Sequence, residues 1–355
     1  MQDSGTIPRQ IDELSRFETC SLEARDARAE LSANPARIIE GCQNKSAKGQ
    51  SANVDARTRM LLEQPIAPTI LRLAIPNAAV MTIQILIGLM EVYFVSRMGV
   101  DALAGVTPVF PLVSLVLAIA QGAIGGGFVT SVARTLGTGR IGAASECAWY
   151  AVALAIPLGF VTTAAMHLLG PSLYGHIGLS GPALAIALSY SSVIFAGATL
   201  IWLFNLLMAV VRGTGNLQVP VIVVGSGALI LVPLSPVLIF GAFGYQGLGP
   251  SGGAVAMLVY YALGALGYAA YLWGKFGVLK PSFHLPKLSL GPALAILRVG
   301  GLSAVVSAST NLTLAIVTAY VALGGVEALA GYGAGSRLEF LLVPLCYGVG
   351  GPSES

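Results

Sequence analysis

Long apolar runs separated by short polar breaks make up the chain from about residue 68 onward. Each run reaches the roughly 20 residues that an α-helix needs to cross a bilayer. The pattern predicts eight transmembrane helices, at 68–97, 102–133, 143–169, 182–211, 217–241, 252–274, 292–323 and 327–350. The run LVPLSPVL, at Leu231 to Leu238, is predicted to be a kinked part of the fifth helix, because both of its flanks stay apolar.

The basic residues fall on one side of this pattern. Those that precede or open the first helix, or lie around the breaks between helices 2 and 3, 4 and 5, and 6 and 7, are Arg57, Arg59, Arg72, Arg134, Arg140, Arg212, Lys275, Lys280, Lys287 and Arg298. The opposite loops offer Arg97. Because loops rich in Lys and Arg stay in the cytoplasm, the N-terminus is predicted to be cytoplasmic.

One heptapeptide occurs twice in almost the same form. GVDALAG spans Gly99 to Gly105, and GVEALAG spans Gly325 to Gly331, an offset of 226 residues. The same offset aligns other positions, for example Gly122 with Gly348. Since the repeated unit contains six predicted helices, both copies begin on the same side of the membrane. The sequence therefore predicts a parallel repeat with a pseudo-twofold axis along the membrane normal.

This repeat predicts the domain organisation. Residues 63–290 are expected to form a first six-helix lobe, and residues 291–355 the first two helices of a second lobe. We therefore expect a parent protein of twelve transmembrane helices and a chain truncated at its C-terminus. Residues 1–62 are polar and charge-balanced, so a disordered extension is predicted rather than a secretory signal, with Met60 as an alternative start.

The composition also favours an all-α polytopic membrane protein. The chain is 55% hydrophobic and 10% charged, with a mean hydropathy of +0.80, too apolar for a soluble domain of 355 residues. The four cysteines have no C-x-x-C spacing and the three histidines are scattered. The sequence therefore predicts no metal site and no cofactor. It points to the lipid bilayer as the surroundings, with no nucleic-acid partner and no obligate protein partner.

Glu91 is the strongest candidate for a functional residue. It lies well inside helix 1, toward the extracytoplasmic end. A carboxylate at that depth costs on the order of a few kcal/mol unless it is paired, hydrated or protonated, so such acids often belong to ion or substrate pathways. Asn77 and Gln84 precede Glu91 at intervals of seven residues, which predicts one polar stripe along the helix.

The repeat supplies an internal comparison for this stripe. Glu91 corresponds to Val317, so the fold does not require an acid there, and a coupling-ion site is indicated. The alternative is a structural hydrogen bond between helices. Candidates for lining a cavity, for which hydrogen bonding between helices is at least as good an explanation, are Asn77, Gln84, Gln121, Tyr190, Asn205 and Asn311.

Several segments resemble the multidrug and toxic compound extrusion (MATE) family. The segment LMEVYFVSRMGVDALAGV from Leu89 is similar to the first helix and loop of that family. FNLLMAVVRGTGN from Phe204 is similar to the end of its fourth helix, and YGAGSRLEFLLVPLCYGVGG from Tyr332 to its eighth. The resemblance covers about residues 60–350. It implies twelve helices in two lobes, in a bacterial inner membrane.

The resemblance implies a secondary antiporter rather than an enzyme. Such a protein exports organic cations and amphipathic drugs in exchange for protons or sodium ions, and the family's coupling acid falls on Glu91. Its polar pair in helix 5 falls on Leu231 and Ser235, so that pair is absent. Because a hard cation wants several oxygen ligands, this departure favours protons as the coupling ion.

Three other interpretations remain open. A flippase for lipid-linked oligosaccharides would need several cations for a pyrophosphate group, and the first lobe has no Arg or Lys deep in a span. An intramembrane enzyme would need paired acids or a nucleophile–histidine arrangement, which the sequence does not offer. The third is a non-functional fragment.

Overall fold

The computed structural model describes residues 66–177, 179–242, 246–274, 279 and 290–339. The predicted N-terminal extension, residues 1–62, lies outside these described residues, and so does the part of the eighth predicted helix after residue 339. Within the described ranges every regular element is helical. The predicted all-α class is therefore confirmed.

The first two predicted spans differ in their continuity. The first is a single helix, α1, Ile66–Ser96. The second is a succession of four segments: α2 Val100–Val106, α3 Val109–Ala118, a π-helical turn Ile119–Ile124, and α4 Gly125–Gly137. The second span is therefore helical over its predicted length but interrupted twice.

The break between α2 and α3 has a local cause. Thr107 donates its hydroxyl hydrogen to the carbonyl of Leu103 at 2.7 Å. Pro108 and Pro111 carry no backbone N–H, so the regular hydrogen-bond pattern cannot run through this stretch. The predicted second span, 102–133, is therefore present with a break at this point, where helical hydrogen bonds are missing although the chain stays apolar.

The third to sixth predicted spans are filled by five helices. These are α5 Ile141–His176, α6 Gly181–Ala196, α7 Ala198–Gly213, α8 Gln218–Phe240 and α9 Pro250–Trp273. The predicted third, fifth and sixth helices correspond to α5, α8 and α9. The proline-rich run lies inside α8, as predicted.

The fourth predicted span, 182–211, is bent by 49° between α6 and α7. Gly197 lies at the bend and faces α9. A Cβ atom at this residue would lie 2.3 Å from Cδ2 of Leu258, so a larger residue would require the Leu258 side chain to move. The sequence did not predict the bend, because the chain is equally apolar on both sides of it.

Helices α10, Leu290–Ala322, and α11, Val326–Glu339, repeat the geometry of α1 and α2. Gly99 and Gly325, which are equivalent under the 226-residue offset, both have a positive φ, 111° and 95°. Each donates its backbone N–H to the carbonyl three residues earlier. Since a positive φ favours glycine, both copies of the heptapeptide begin with it.

Six helical stretches among the described residues are long and apolar enough to cross a membrane, and the bent pair α6–α7 makes a possible seventh. The six are Ile75–Ser96, Val100–Gly137, Gly142–His176, Gln218–Phe240, Pro250–Trp273 and Ala304–Ala322. This result confirms the predicted polytopic membrane architecture.

Helix α7 forms the core of the first lobe and packs against α4, α5 and α9. Phe204 contacts the rings of Tyr260, Tyr261 and Tyr268 on α9, with centroids 5.3–5.4 Å apart. On the α5 side, Trp202 joins the helices by a hydrogen bond from Nε1 to a threonine hydroxyl at 3.0 Å. These contacts hold α5, α7 and α9 together around the region where Glu91 lies.

Candidate ion-coupling site

Glu91 of α1 is buried among the helices, with 7% of its surface exposed. The hydroxyl of Tyr190, on α6, donates a hydrogen bond to its Oε1 atom. Tyr190 is itself buried. The structure therefore places in contact two residues that the sequence analysis gave as separate candidates, Glu91 for ion coupling and Tyr190 for lining a cavity.

Gly253 of α9 lies directly against this pair. A Cβ atom at residue 253 would lie 3.7 Å from Oε1 of Glu91 and 3.9 Å from Cε2 of Tyr190. It would also lie 3.6 Å from Cδ1 of Ile239 on α8. Residues of α1, α6 and α9 thus meet at one carboxylate, and Ile239 of α8 lies beside Gly253.

The burial of Glu91 determines what this site can do. An ionised carboxylate removed from water is costly unless it accepts hydrogen bonds, and Tyr190 supplies one donor. Uptake of a proton removes the buried charge and turns the acid into a donor as well. A change in the protonation of this acid would therefore alter the hydrogen bonding between α1 and α6.

Leu231 and Ser235 of α8 are buried, with 2% and 3% of their surface exposed. They occupy the positions at which the sequence comparison with the family expected a polar pair. At the first of these positions the structure places an aliphatic side chain inside the lobe. That side chain offers no oxygen to a cation.

Asn77, at the other end of the predicted polar stripe, has a partner on α7. Arg212 donates a hydrogen bond from Nη2 to its Oδ1 at 2.6 Å. At a rise of about 1.5 Å per residue, Asn77 lies roughly 21 Å from Glu91 along α1. The hydrogen bond joins α1 to the last turn of α7, far from the carboxylate.

The remaining predicted lining residues lie in different places. Gln84 is half-buried on α1, and Gln121 is half-buried in the π-helical turn. Asn205 is fully buried on α7 and Asn311 is mostly buried on α10. Each of these two asparagines donates from Nδ2 to the carbonyl four residues earlier, at 2.7 and 2.9 Å.

Two small cavities lie beside the second span, one against α10 and α11 and the other against α1 and α11. The first is lined by Thr107, Phe110, Pro111, Leu314, Thr318, Tyr332, Gly333 and Ser336. The second is lined by Val92, Val95, Leu103, Val106, Thr107 and Gly333. None of the predicted lining residues borders either of these two cavities.

Sequence reasoning did not identify Gly253 or the tyrosines of α9 as neighbours of Glu91. Tyr261 lies within electrostatic reach of that carboxylate. Gly253 and Tyr261 are eight residues apart, which places them on similar sides of one helix. The spacing was visible in the sequence, but nothing in it related this helix face to α1.

Comparison with known proteins gives consistent matches. Residues 76–237 match the MatE family model. The "Probable multidrug resistance protein NorM" of Thermotoga maritima is 28% identical over 291 residues, which cover 80% of this chain and 61% of that protein. A protein of Shewanella oneidensis named "FAD transporter" is 27% identical over 290 residues, which cover 80% of this chain and 62% of that protein.

Solved structures resemble the fold. An inward-facing multidrug resistance MATE family transporter of the MOP superfamily has a TM-score of 0.68 at 25% identity, covering 75% of this chain and 62% of that chain. A MOP superfamily transporter from Pyrococcus furiosus has a TM-score of 0.70 at 27% identity, covering 81% of this chain and 64% of that chain.

The helical spans and the acid buried between them define a polytopic α-helical membrane protein. The family model, the named relatives and the solved structures all support the resemblance to the MATE family seen in the sequence. The chain spans about three fifths of the length of the curated relatives, 61% and 62%.

Proposed function

We propose that the whole protein is a secondary antiporter that exports organic cations or amphipathic drugs in exchange for protons. The observation that carries this proposal is the buried Tyr190–Glu91 hydrogen bond, which lies where α1, α6 and α9 meet. Relatives named as multidrug resistance proteins support the substrate class.

The coupling follows from the two protonation states of Glu91. The ionised acid accepts the hydrogen bond of Tyr190, which holds α1 and α6 together. The protonated acid loses its charge and binds that hydroxyl less strongly, so a different packing of α1 becomes accessible. Proton entry from outside favours release of the bound compound outward, and rocking of the two lobes returns access to the cytoplasm.

Protons suit this site better than sodium ions. A sodium ion would need several oxygen ligands around the carboxylate. Leu231 of α8 is buried at one of the positions where the family resemblance expects a polar residue, and its side chain offers no oxygen to a cation. A proton needs only the carboxylate.

The proposed orientation places the N-terminus in the cytoplasm of a bacterium and the protein in its inner membrane. Arg134 and Arg140 are exposed at the junction of α4 and α5, and Arg97 lies on the opposite side. The excess of basic residues beside the start of α1 and at that junction supports this orientation. The turns between α1 and α2 and between α10 and α11 are then extracytoplasmic.

The test is export by the Glu91→Gln protein in vesicles loaded with a fluorescent organic cation. An imposed proton gradient should drive export by the unmodified protein and give only background export with Glu91→Gln. Glu146→Gln is the matched control, because Glu146 is exposed at the start of α5. Undiminished export by Glu91→Gln, at equal amounts of inserted protein, would exclude the mechanism.

The relative named "FAD transporter" favours a second substrate class. It is about as similar to this chain as the bacterial multidrug relative, 27% against 28% identity. The same vesicles should therefore be tested with FAD. Transport of FAD with no transport of organic cations would show that the proposed substrate class is wrong. The role of Glu91 would then be tested by FAD transport in the Glu91→Gln variant.

A further inference from the structure

Thr107 and Gly333 are in contact, and they are equivalent positions of the two repeats. Their separation is the 226-residue offset that relates the two heptapeptides. A Cβ atom at residue 333 would lie 2.0 Å from Oγ1, 2.8 Å from Cγ2 and 2.9 Å from Cβ of Thr107. In a twofold arrangement, a residue that contacts its own equivalent lies at the axis. The pseudo-twofold axis of the repeat therefore passes between these two residues.

The two residues lie at the same depth. Thr107 follows the first residue of α2 by seven positions, and Gly333 follows the first residue of α11 by seven positions. At about 1.5 Å per residue, each lies roughly 10 Å from the turn that precedes its helix. Those turns hold the equivalent glycines Gly99 and Gly325. The contact thus belongs to the side of the protein on which α1 and α10 end.

The surroundings of the contact show part of the same symmetry. Thr107 and Gly333 line both small cavities. Val92 and Val106 line one cavity, and their equivalents under the offset, Thr318 and Tyr332, line the other. The interface between the second span and α11 therefore includes equivalent residues of the two repeats.

We propose that Thr107 and Gly333 form the contact on which α2 and α11 close one side of the protein, and that the missing side chain at residue 333 permits this closure. The proposal rests on the proposed function, because closure has a role only if the two repeats rock against each other. In the proposed orientation the closed side is extracytoplasmic. A larger residue at 333 holds α2 and α11 apart and favours the state open to that side.

The chain offers a matched control in the same helix. Gly335 is exposed, and a Cβ atom there would have no heavy atom within 4 Å. Gly333→Val and Gly335→Val therefore make the same change of helix propensity and volume. They differ in whether the new side chain meets Thr107.

The test measures the distance between α2 and α11 directly. Asp101 and Glu327 are exposed, equivalent residues in the first turns of these helices. They are replaced by cysteine in the full chain, with its four native cysteines exchanged for serine. The cysteines then carry spin labels for pulsed EPR in lipid nanodiscs. We expect a short-distance population that is lost in Gly333→Val and kept in Gly335→Val.

A double variant that exchanges the two residues shows whether a changed distance comes from the lost contact or from misfolding. Thr107→Gly removes the atoms that a side chain at 333 would meet, so the double variant Thr107→Gly with Gly333→Thr should regain the short-distance population. If Gly333→Val does not insert into the membrane, Gly333→Ala and the exchanged pair decide the question. An unchanged distance in the residue 333 variants, an equal change in Gly335→Val, or no recovery in the exchanged pair would overturn the proposal.

The distance measurement needs no transport, so the two proposals can fail separately. A predicted distance response together with full export by Glu91→Gln would keep the contact and exclude the proton mechanism. Loss of export in Glu91→Gln with no distance response in Gly333→Val would exclude the role of Thr107 and Gly333 alone.

Discussion

The hydroxyl of Tyr190 on α6 donates a hydrogen bond to the carboxylate of Glu91 on α1, 99 residues earlier in the chain. Both side chains are buried, so water competes little for either group. The protonation state of one acid is thereby connected to the contact between two transmembrane helices. Such a connection is what coupling of ion uptake to conformational change requires.

Tyr190→Phe should lower the rate of export without removing Glu91. The variant removes the hydrogen bond that joins α6 to the carboxylate on α1. A hydrogen bond to a charged group contributes about 1.5 kcal/mol, so we expect gradient-driven export to fall by about tenfold. The measurement is the initial rate of export from loaded vesicles at equal amounts of inserted protein.

The control for this prediction is Tyr174→Phe. Tyr174 is also a buried tyrosine, but its hydroxyl donates to Ser191 at 2.7 Å and not to the carboxylate. Export should therefore fall much less in this variant. An equal loss of export in both variants would show that export depends on the general packing of these helices and not on the contact with Glu91.

The hydrogen bond from Arg212 to Asn77 should contribute to stability. Asn77→Ala leaves the guanidinium without this acceptor, and Arg212→Ala leaves the amide without this donor. Because the donor is charged, a double-mutant cycle should give a coupling free energy of about 1.5–3 kcal/mol. The measurement is thermal unfolding in detergent. Arg140→Ala, at an exposed arginine, should change the unfolding midpoint little.

The sequence predicted most of the helical spans because each must be apolar for about 20 residues to cross a bilayer. It also predicted the repeat, and the structure shows the same glycine turn at Gly99 and Gly325. These features are local, so they can be read along the chain. The antiport mechanism, the coupling ion and the lobe boundaries stay predictions.

The breaks inside spans and the contacts between them could not be predicted in the same way. The fourth span bends at Gly197, where Leu258 of another helix lies against it. Tyr190 was a candidate only as one of several polar residues, since nothing local assigns it to Glu91. The contact of Thr107 with Gly333 follows from the repeat only after the position of the axis is known.

Gly159→Ala should destabilise the protein where α5 crosses α7. A Cβ atom at residue 159 would lie 2.4 Å from Cα and 2.7 Å from the backbone nitrogen of Thr199. Backbone atoms cannot rotate away, so the helices must separate, at a cost of about 1–3 kcal/mol.

The control is Gly175→Ala in the same helix, where a Cβ atom meets no atom within 4 Å. It should raise the unfolding temperature slightly, since alanine favours a helix by about 0.5–1 kcal/mol. A loss of stability in Gly175→Ala equal to that in Gly159→Ala would contradict the packing argument.

Removing a buried hydroxyl should have opposite consequences in two parts of the first lobe. The hydroxyls of Tyr260 and Tyr268 on α9 are buried and have no hydrogen-bond partner among the described residues. Tyr260→Phe and Tyr268→Phe therefore remove an unsatisfied polar group and keep the ring that packs on Phe204. Neither variant should lower the free energy of unfolding, and a small gain is expected.

Tyr174→Phe, by contrast, leaves the buried Ser191 hydroxyl without its donor and should cost about 1 kcal/mol of the free energy of unfolding. Thermal unfolding of the three variants under one condition gives the comparison. A loss in Tyr260→Phe or Tyr268→Phe as large as that in Tyr174→Phe would mean that water satisfies these hydroxyls inside the lobe, and that α9 carries a hydrated polar path beside Glu91.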